Sequence, residues 1–181
     1  MILKKLSILN CYKIIPQKNK DLRGYFYRSY CKNILKKNKI NFEIKQTNIS
    51  FNQKKFTFRG FHYSSNKLIE NKIISVMHGK SEHHLIDLRK KSKTYLKKLK
   101  ITLNSQKGIL LFVPSGCASG FLTLEKNTVV QYFMDNFYIQ NSREYKGFRF
   151  DDPFFSINLS TKPKVISDKD INYINFDQKI K

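Results

Sequence analysis

Four histidines, His62, His78, His83 and His84, are the side chains suited to exchanging protons near neutral pH or to holding a metal. A metal centre in a β-protein needs two or three imidazoles and a carboxylate converging on one face. His83 and His84 are adjacent, so on a strand they point to opposite faces. The segment Pro114-Ser115-Gly116-Cys117-Ala118-Ser119-Gly120-Phe121 brings no histidine to complete a cluster. No metal is therefore expected. His62 stands in Phe58-Arg59-Gly60-Phe61-His62-Tyr63, where strict alternation puts Phe58, Gly60 and His62 on one face and leaves room beside the imidazole for a ligand. Arg59 then reaches that ligand only through a local bend. Taken alone, these residues fit a structural histidine at least as well.

The elements that must position such groups are short β-type runs. They are Lys72 to His78, His84 to Leu88, Leu96 to Leu103, Gly108 to Val113 and Val129 to Met134, with Gly79-Lys80, Asn104-Ser105 and Glu125-Lys126-Asn127 as turns. Strands at this spacing read as a sandwich or barrel. Two helices are expected, one over Ser29 to Asn38 and a short one beginning near Ser167. Ser167 would cap the second, with Asp168 and Asp170 in its first turn. No repeat, linker or composition step divides the chain, so one β domain over 1–181 is expected, ending in a polar tail at 171–181.

At 181 residues, 40% hydrophobic and 14% aromatic, the chain can bury a real core. No apolar run approaches the ~18–20 residues of a membrane-spanning helix, and Met1 to Lys5 lead into no signal-like stretch. Cys11, Cys31 and Cys117 are odd in number and form no C-x-x-C pair, which argues against a disulfide framework and for a reducing cytosol. Thirty-five Lys+Arg against 13 Asp+Glu leave a formal charge of +22. Two readings stand: attraction of anions, or a compositional bias toward Lys, Ile and Asn on the solvated surface. The sharpest cluster, Arg89 to Lys100, has only Tyr95 to stack a base, so it reads as a turn and a wet edge strand. A non-catalytic basic binding protein is the rival of a different class; neither a nucleic-acid nor a membrane partner is expected.

A set of motifs runs in order along most of the chain. Asp21-Leu22-Arg23-Gly24-Tyr25-Phe26 and Gln46-Thr47-Asn48-Ile49-Ser50 come first, then Arg59-Gly60-Phe61-His62-Tyr63 and Lys72 with Val76 and Gly79. Ile86-Asp87-Leu88-Arg89-Lys90, Pro114-Ser115-Gly116 through Gly120-Phe121, Tyr132, Asp135 to Tyr138, Phe150-Asp151-Asp152-Pro153 and Ser167 to Asp170 follow. From about Asp21 to Asp170 this pattern resembles the dTDP-4-dehydrorhamnose 3,5-epimerase family. The resemblance implies an all-β cupin-type jelly roll with short flanking helices, a homodimer, a nucleotide-diphosphate sugar substrate and no cofactor. It implies inversion at C3 and/or C5 of a nucleotide-linked 4-keto-6-deoxy sugar through an enolate, in deoxysugar biosynthesis for surface polysaccharide.

By the same resemblance His62 is the general base, Asp170 the carboxylate that orients it, Tyr132 the proton donor and Lys72 the cation on the ketone. Arg23 and Arg59 would contact the diphosphate and nucleotide end, Gln46 and Asn48 the sugar or base, and Tyr138 would stack on the base. Ser119, Glu144 and Lys169 complete the substrate-binding set. Without the resemblance, Tyr132 reads as a core tyrosine and Asp170 as a helix-start carboxylate. The chain departs from the family pattern at Arg28 (usually Glu), Ser64 (usually Gln), Ser119 (usually His) and His83 (an expected Asp). A histidine and its carboxylate partner changing together implies a rebuilt pocket. A 3-epimerase or a 3,4-ketoisomerase acting on another 4-keto sugar nucleotide is the alternative.

Overall fold

The computed structural model describes residues 1–65 and 67–176. Of the polar tail expected at 171–181, residues 177–181 lie outside the described residues, and Phe176 packs against Phe148. Two antiparallel sheets face one another. One runs in the order β1 (Ile2–Lys5), β2 (Tyr12–Ile15), β10 (Leu110–Val113), β7 (Lys72–His78), β12 (Thr128–Met134) and β5 (Gln46–Asn52). The other runs β13 (Tyr145–Gly147), β6 (Phe58–Ser64), β11 (Cys117–Thr123), β8 (Lys80–Asp87) and β9 (Lys98–Asn104). A separate hairpin pairs β3 (Lys18–Asp21) with β4 (Gly24–Tyr27). Apart from β1–β2 and β8–β9, neighbours in each sheet are distant in sequence, the crossed order of a jelly roll.

The core lies between the sheets. Ile74, Val76, Leu111 and Val130 of the first sheet meet Leu85, Leu103, Cys117 and Phe121 of the second. Both sheets are also covered outside. Leu35 of α1 (Lys32–Lys37), Ile40 and Phe42 pack on Ile14, Ile73 and Leu110, while Phe148 and Phe155 pack on Phe58, Phe61 and Ile86. Burial on both faces is why Ile73-Ile74 and Leu110 to Val113 read as continuous apolar runs rather than alternation.

The expected elements are present in kind and differ at their ends, while β1 to β5, β11 and β13 were not among the strands expected. The first helix is shorter than Ser29 to Asn38, and β8 starts at Lys80 instead of His84. Ser81, Glu82 and His83 are polar but buried, which hides the strand from a hydrophobicity pattern. Ser167 does cap α2 (Asp168–Ile171), its hydroxyl accepting from the Asp170 amide at 3.2 Å. The lysines of edge strand β9 are not simply wet. Lys98 donates to the Phe155 carbonyl at 2.7 Å, and Lys100 pairs with Glu82 at 2.9 Å.

Candidate active site

β6 carries the local feature that shapes the site. On its partner β11, Ser119 pairs with His62 and Phe121 with Arg59, so two steps on β11 face three on β6. The extra residue makes a β-bulge, which breaks the alternation once. Arg59 and His62 consequently share the inner face, while Phe58 and Phe61 both bury outward against Phe148 and Phe155. The sequence-based pairing of His62 with Phe58 is corrected by this bulge. Gly60 makes it possible: at φ +123° a Cβ would sit 2.6 Å from Gly120 Cα and 2.8 Å from the Ser119 carbonyl.

A cavity of about 260 Å³ opens between the sheets. Arg59, His62, Ser119 and His83 line it from the five-stranded sheet; Lys72, Tyr132 and Asn48 line it from the six-stranded one. Cross-strand register sets the second wall, with Asn48, Tyr132 and Ile74 in one row and Gln46, Met134 and Lys72 in the next. His62 and Tyr132 thus approach from opposite walls.

His62 Nε2 lies 2.7 Å from Asp170 Oδ1, and Asp170 Oδ2 accepts the Gly60 amide at 3.2 Å. Burial opposes ionisation of Asp170. The His62 hydrogen bond and charge, the Gly60 amide and Ser167 outweigh that and hold its carboxyl below the usual range. Burial raises the Tyr132 phenol well above its ordinary pKa, a rise that the Arg59 guanidinium only partly offsets. Arg59 itself is steadied by Nε donating to Asn52 Oδ1 at 2.9 Å.

The remaining expected residues are spread more widely. Gln46 Nε2 donates to Asn48 Oδ1 at 3.0 Å and its Oε1 accepts the Tyr138 amide at 2.8 Å, so it tethers the rim. Tyr138 is half exposed, its ring 4.9 Å from that of Tyr145, outside the cavity lining. Three others do not line the cavity. Arg23 sits 90% exposed on the β3–β4 hairpin with its guanidinium bound to Asp21. The Glu144 carboxylate is occupied by the Ser65 hydroxyl. Lys169 lies on the exposed side of α2, beside the inward-facing Asp170.

Sequence reasoning met His83 as a departure from the family pattern and assigned it no role. It is 1% exposed, its Nε2 lies 2.8 Å from the Ser81 hydroxyl, and its ring stacks on Phe121 at 5.4 Å. Burial, helped by the neighbouring His84, depresses its pKa to about 3, so it presents a neutral imidazole. The alternation Ser81, His83, Leu85 on one inward face was the signal that could have found it. No group of three or more His, Cys, Asp or Glu able to hold a metal occurs among the described residues.

The scaffold is a cupin-type jelly roll, and an imidazole–carboxylate pair facing a phenol and an ammonium is equipment for moving protons. The sequence profile of dTDP-4-dehydrorhamnose 3,5-epimerase matches residues 5–178. The dTDP-4-dehydrorhamnose 3,5-epimerase of Sinorhizobium fredii is 32% identical over 171 residues, 94% of this chain and 87% of that protein. The crystal structure of the Bacillus anthracis enzyme of that name, with TDP and PPi bound, has a TM-score of 0.91 at 30% identity, covering 97% of this chain and 99% of that one. The Legionella pneumophila enzyme in complex with dTDP-4-keto-L-rhamnose has a TM-score of 0.88 at 26% identity, covering 96% and 92%. The chain belongs to the dTDP-4-dehydrorhamnose 3,5-epimerase family and is an isomerase of the epimerase type.

Proposed function

We propose that this protein inverts C3 and C5 of a dTDP-linked 4-keto-6-deoxy sugar. The observation that carries this reading is the His62–Asp170 pair facing Tyr132 across one cavity. Protons on carbons beside a ketone are acidic because the resulting carbanion is an enolate. The hydrogen bond at Nε2 leaves His62 Nδ1 to accept such a proton, and Asp170 stabilises the imidazolium that forms. Lys72 takes the negative charge growing on the C4 oxygen, so no metal is needed for that step. Tyr132 delivers a proton to the same carbon from the opposite face, which inverts it. Burial makes the resulting phenolate costly, so before the second centre reacts solvent takes the abstracted proton from His62 and returns one to Tyr132. Arg59 suits the diphosphate, with its forked donors and its support from Asn52.

The TDP bound to the Bacillus anthracis relative and the dTDP-sugar bound to the Legionella one support a thymidine nucleotide here. Arg23 does not line the cavity of its own chain, and a second copy presenting its hairpin would bring that guanidinium to the nucleotide end. Leu22, Tyr25 and Phe26, all exposed on that hairpin, support the homodimer that the family resemblance implies. The setting we propose is cytoplasmic deoxysugar synthesis for surface polysaccharide. A thermal-shift comparison of dTDP, GDP and CDP tests nucleotide choice, because a ligand that binds only the folded state raises stability by mass action. dTDP should give the largest rise; a larger rise with GDP or CDP contradicts the assignment.

A further inference from the structure

Glu70 is a buried carboxylate that the mechanism above does not use. Its side chain is 0% exposed, and it stands two residues before Lys72, whose side chain is 18% exposed. Oε2 accepts the Tyr145 hydroxyl at 2.7 Å, and the Tyr145 ring in turn packs against Tyr138 in a tilted pair. Oε1 lies 3.2 Å from Lys72 Nζ, yet it takes no hydrogen bond among the described residues. The contact is an ion pair off hydrogen-bond alignment. Facing this pair are Asp135 just beyond β12, Tyr132 on β12, Arg59 and His62 on β6, His83 on β8 and Tyr145 on β13. Among them, Glu70 is the carboxylate within ion-pair distance of Lys72.

We infer that Glu70 is a positioning residue that aims the Lys72 ammonium into the cavity while leaving its N–H donors free for the substrate oxygen. The inference rests on the proposed role of Lys72. A carboxylate buried without full hydrogen bonding is expensive, and a nearby ammonium is the partner that lowers that cost. Attraction without alignment draws the ammonium to one place without consuming a donor. The second oxygen, pinned by Tyr145, stops the carboxylate from turning away. One buried side chain thereby sets the cation at the sugar end and steadies the Tyr138–Tyr145 pair at the rim.

Glu70→Gln tests this, because one amide oxygen cannot serve both Tyr145 and Lys72. Since Lys72 is assigned to the developing charge rather than to ground-state binding, kcat should fall about tenfold or more while KM stays within about threefold. In a Lys72→Met background the same change should cost less than about twofold, because the two residues act as one unit. Glu70→Asp, which keeps the charge, should recover part of kcat. A crystal structure of Glu70→Gln should show Lys72 Nζ displaced from its place in the wild type. An unchanged kcat, an equal loss in both backgrounds, or an unmoved Nζ overturns the inference. Should Glu70→Gln not fold, Tyr145→Phe removes only the pinning hydroxyl and must shift Nζ in the same way; an unmoved Nζ there is equally fatal. The crystallographic readout needs no turnover, so a wild type inactive on every 4-keto sugar nucleotide condemns the function assigned above and not this contact.

Discussion

Asp170 and His62 lie 108 residues apart in the chain and 2.7 Å apart in the fold. The β-bulge turns His62 inward, and the Ser167 cap starts α2 so that Asp170 projects back onto β6 and also accepts the Gly60 amide. One carboxylate therefore fixes both the ring and the bulge that presents it. Asp170→Asn keeps the size but loses the charge that stabilises an imidazolium. Its kcat should fall about 100-fold or more, with KM changed only a few-fold. Steady-state kinetics check this, and a kcat within threefold of wild type would remove Asp170 from the mechanism.

Gly60→Ala should be among the most damaging single-methyl changes in the protein. The added Cβ meets the backbone of β11 at 2.6 and 2.8 Å, and the residue must hold φ +123°. Neither neighbour is a flexible side-chain end, so the bulge must open. A loss of about 3 kcal/mol or more is expected from chemical denaturation, together with loss of activity as Arg59 and His62 leave the shared face. A stable, active Gly60→Ala protein would show that the bulge does not organise the site.

His83 should make the protein sensitive to mild acid. Its ordinary pKa of 6.5 falls to about 3 in the fold. The unfolded chain therefore binds the extra proton first, and stability is lost as pH drops below about 6.5. Relative to pH 7.5, this one group should cost about 2 kcal/mol at pH 5. Urea denaturation of wild type and His83→Gln at the two pH values checks it: the variant should lose less stability by about that amount. Parallel losses would mean that the imidazole is not held neutral.

Much of this was legible in the residues, and the rest was hidden for physical reasons. Apolar runs such as Leu110 to Val113 announced strands, and the ordered motifs from Asp21 to Asp170 identified the family. His62, Lys72, Tyr132 and Asn48 line one cavity. Periodicity could not show that Arg59 joins His62, because a bulge depends on pairing with Ser119 and Phe121 some sixty residues later. Ser81 to His83 read as too polar for a buried strand. Arg23 sits on an exposed hairpin turn and Lys169 on the exposed side of α2, and no local pattern reveals where a hairpin ends up.

Proton exchange with solvent tests the proposed chemistry most directly. dTDP-4-keto-6-deoxyglucose incubated with the protein in deuterated water should gain two deuterons, one at C3 and one at C5, counted by mass spectrometry and placed by NMR. His62→Ala should abolish the uptake, and Tyr132→Phe should cripple inversion while binding of dTDP persists. No deuterium taken up by the wild type, or full uptake by His62→Ala, would contradict the account.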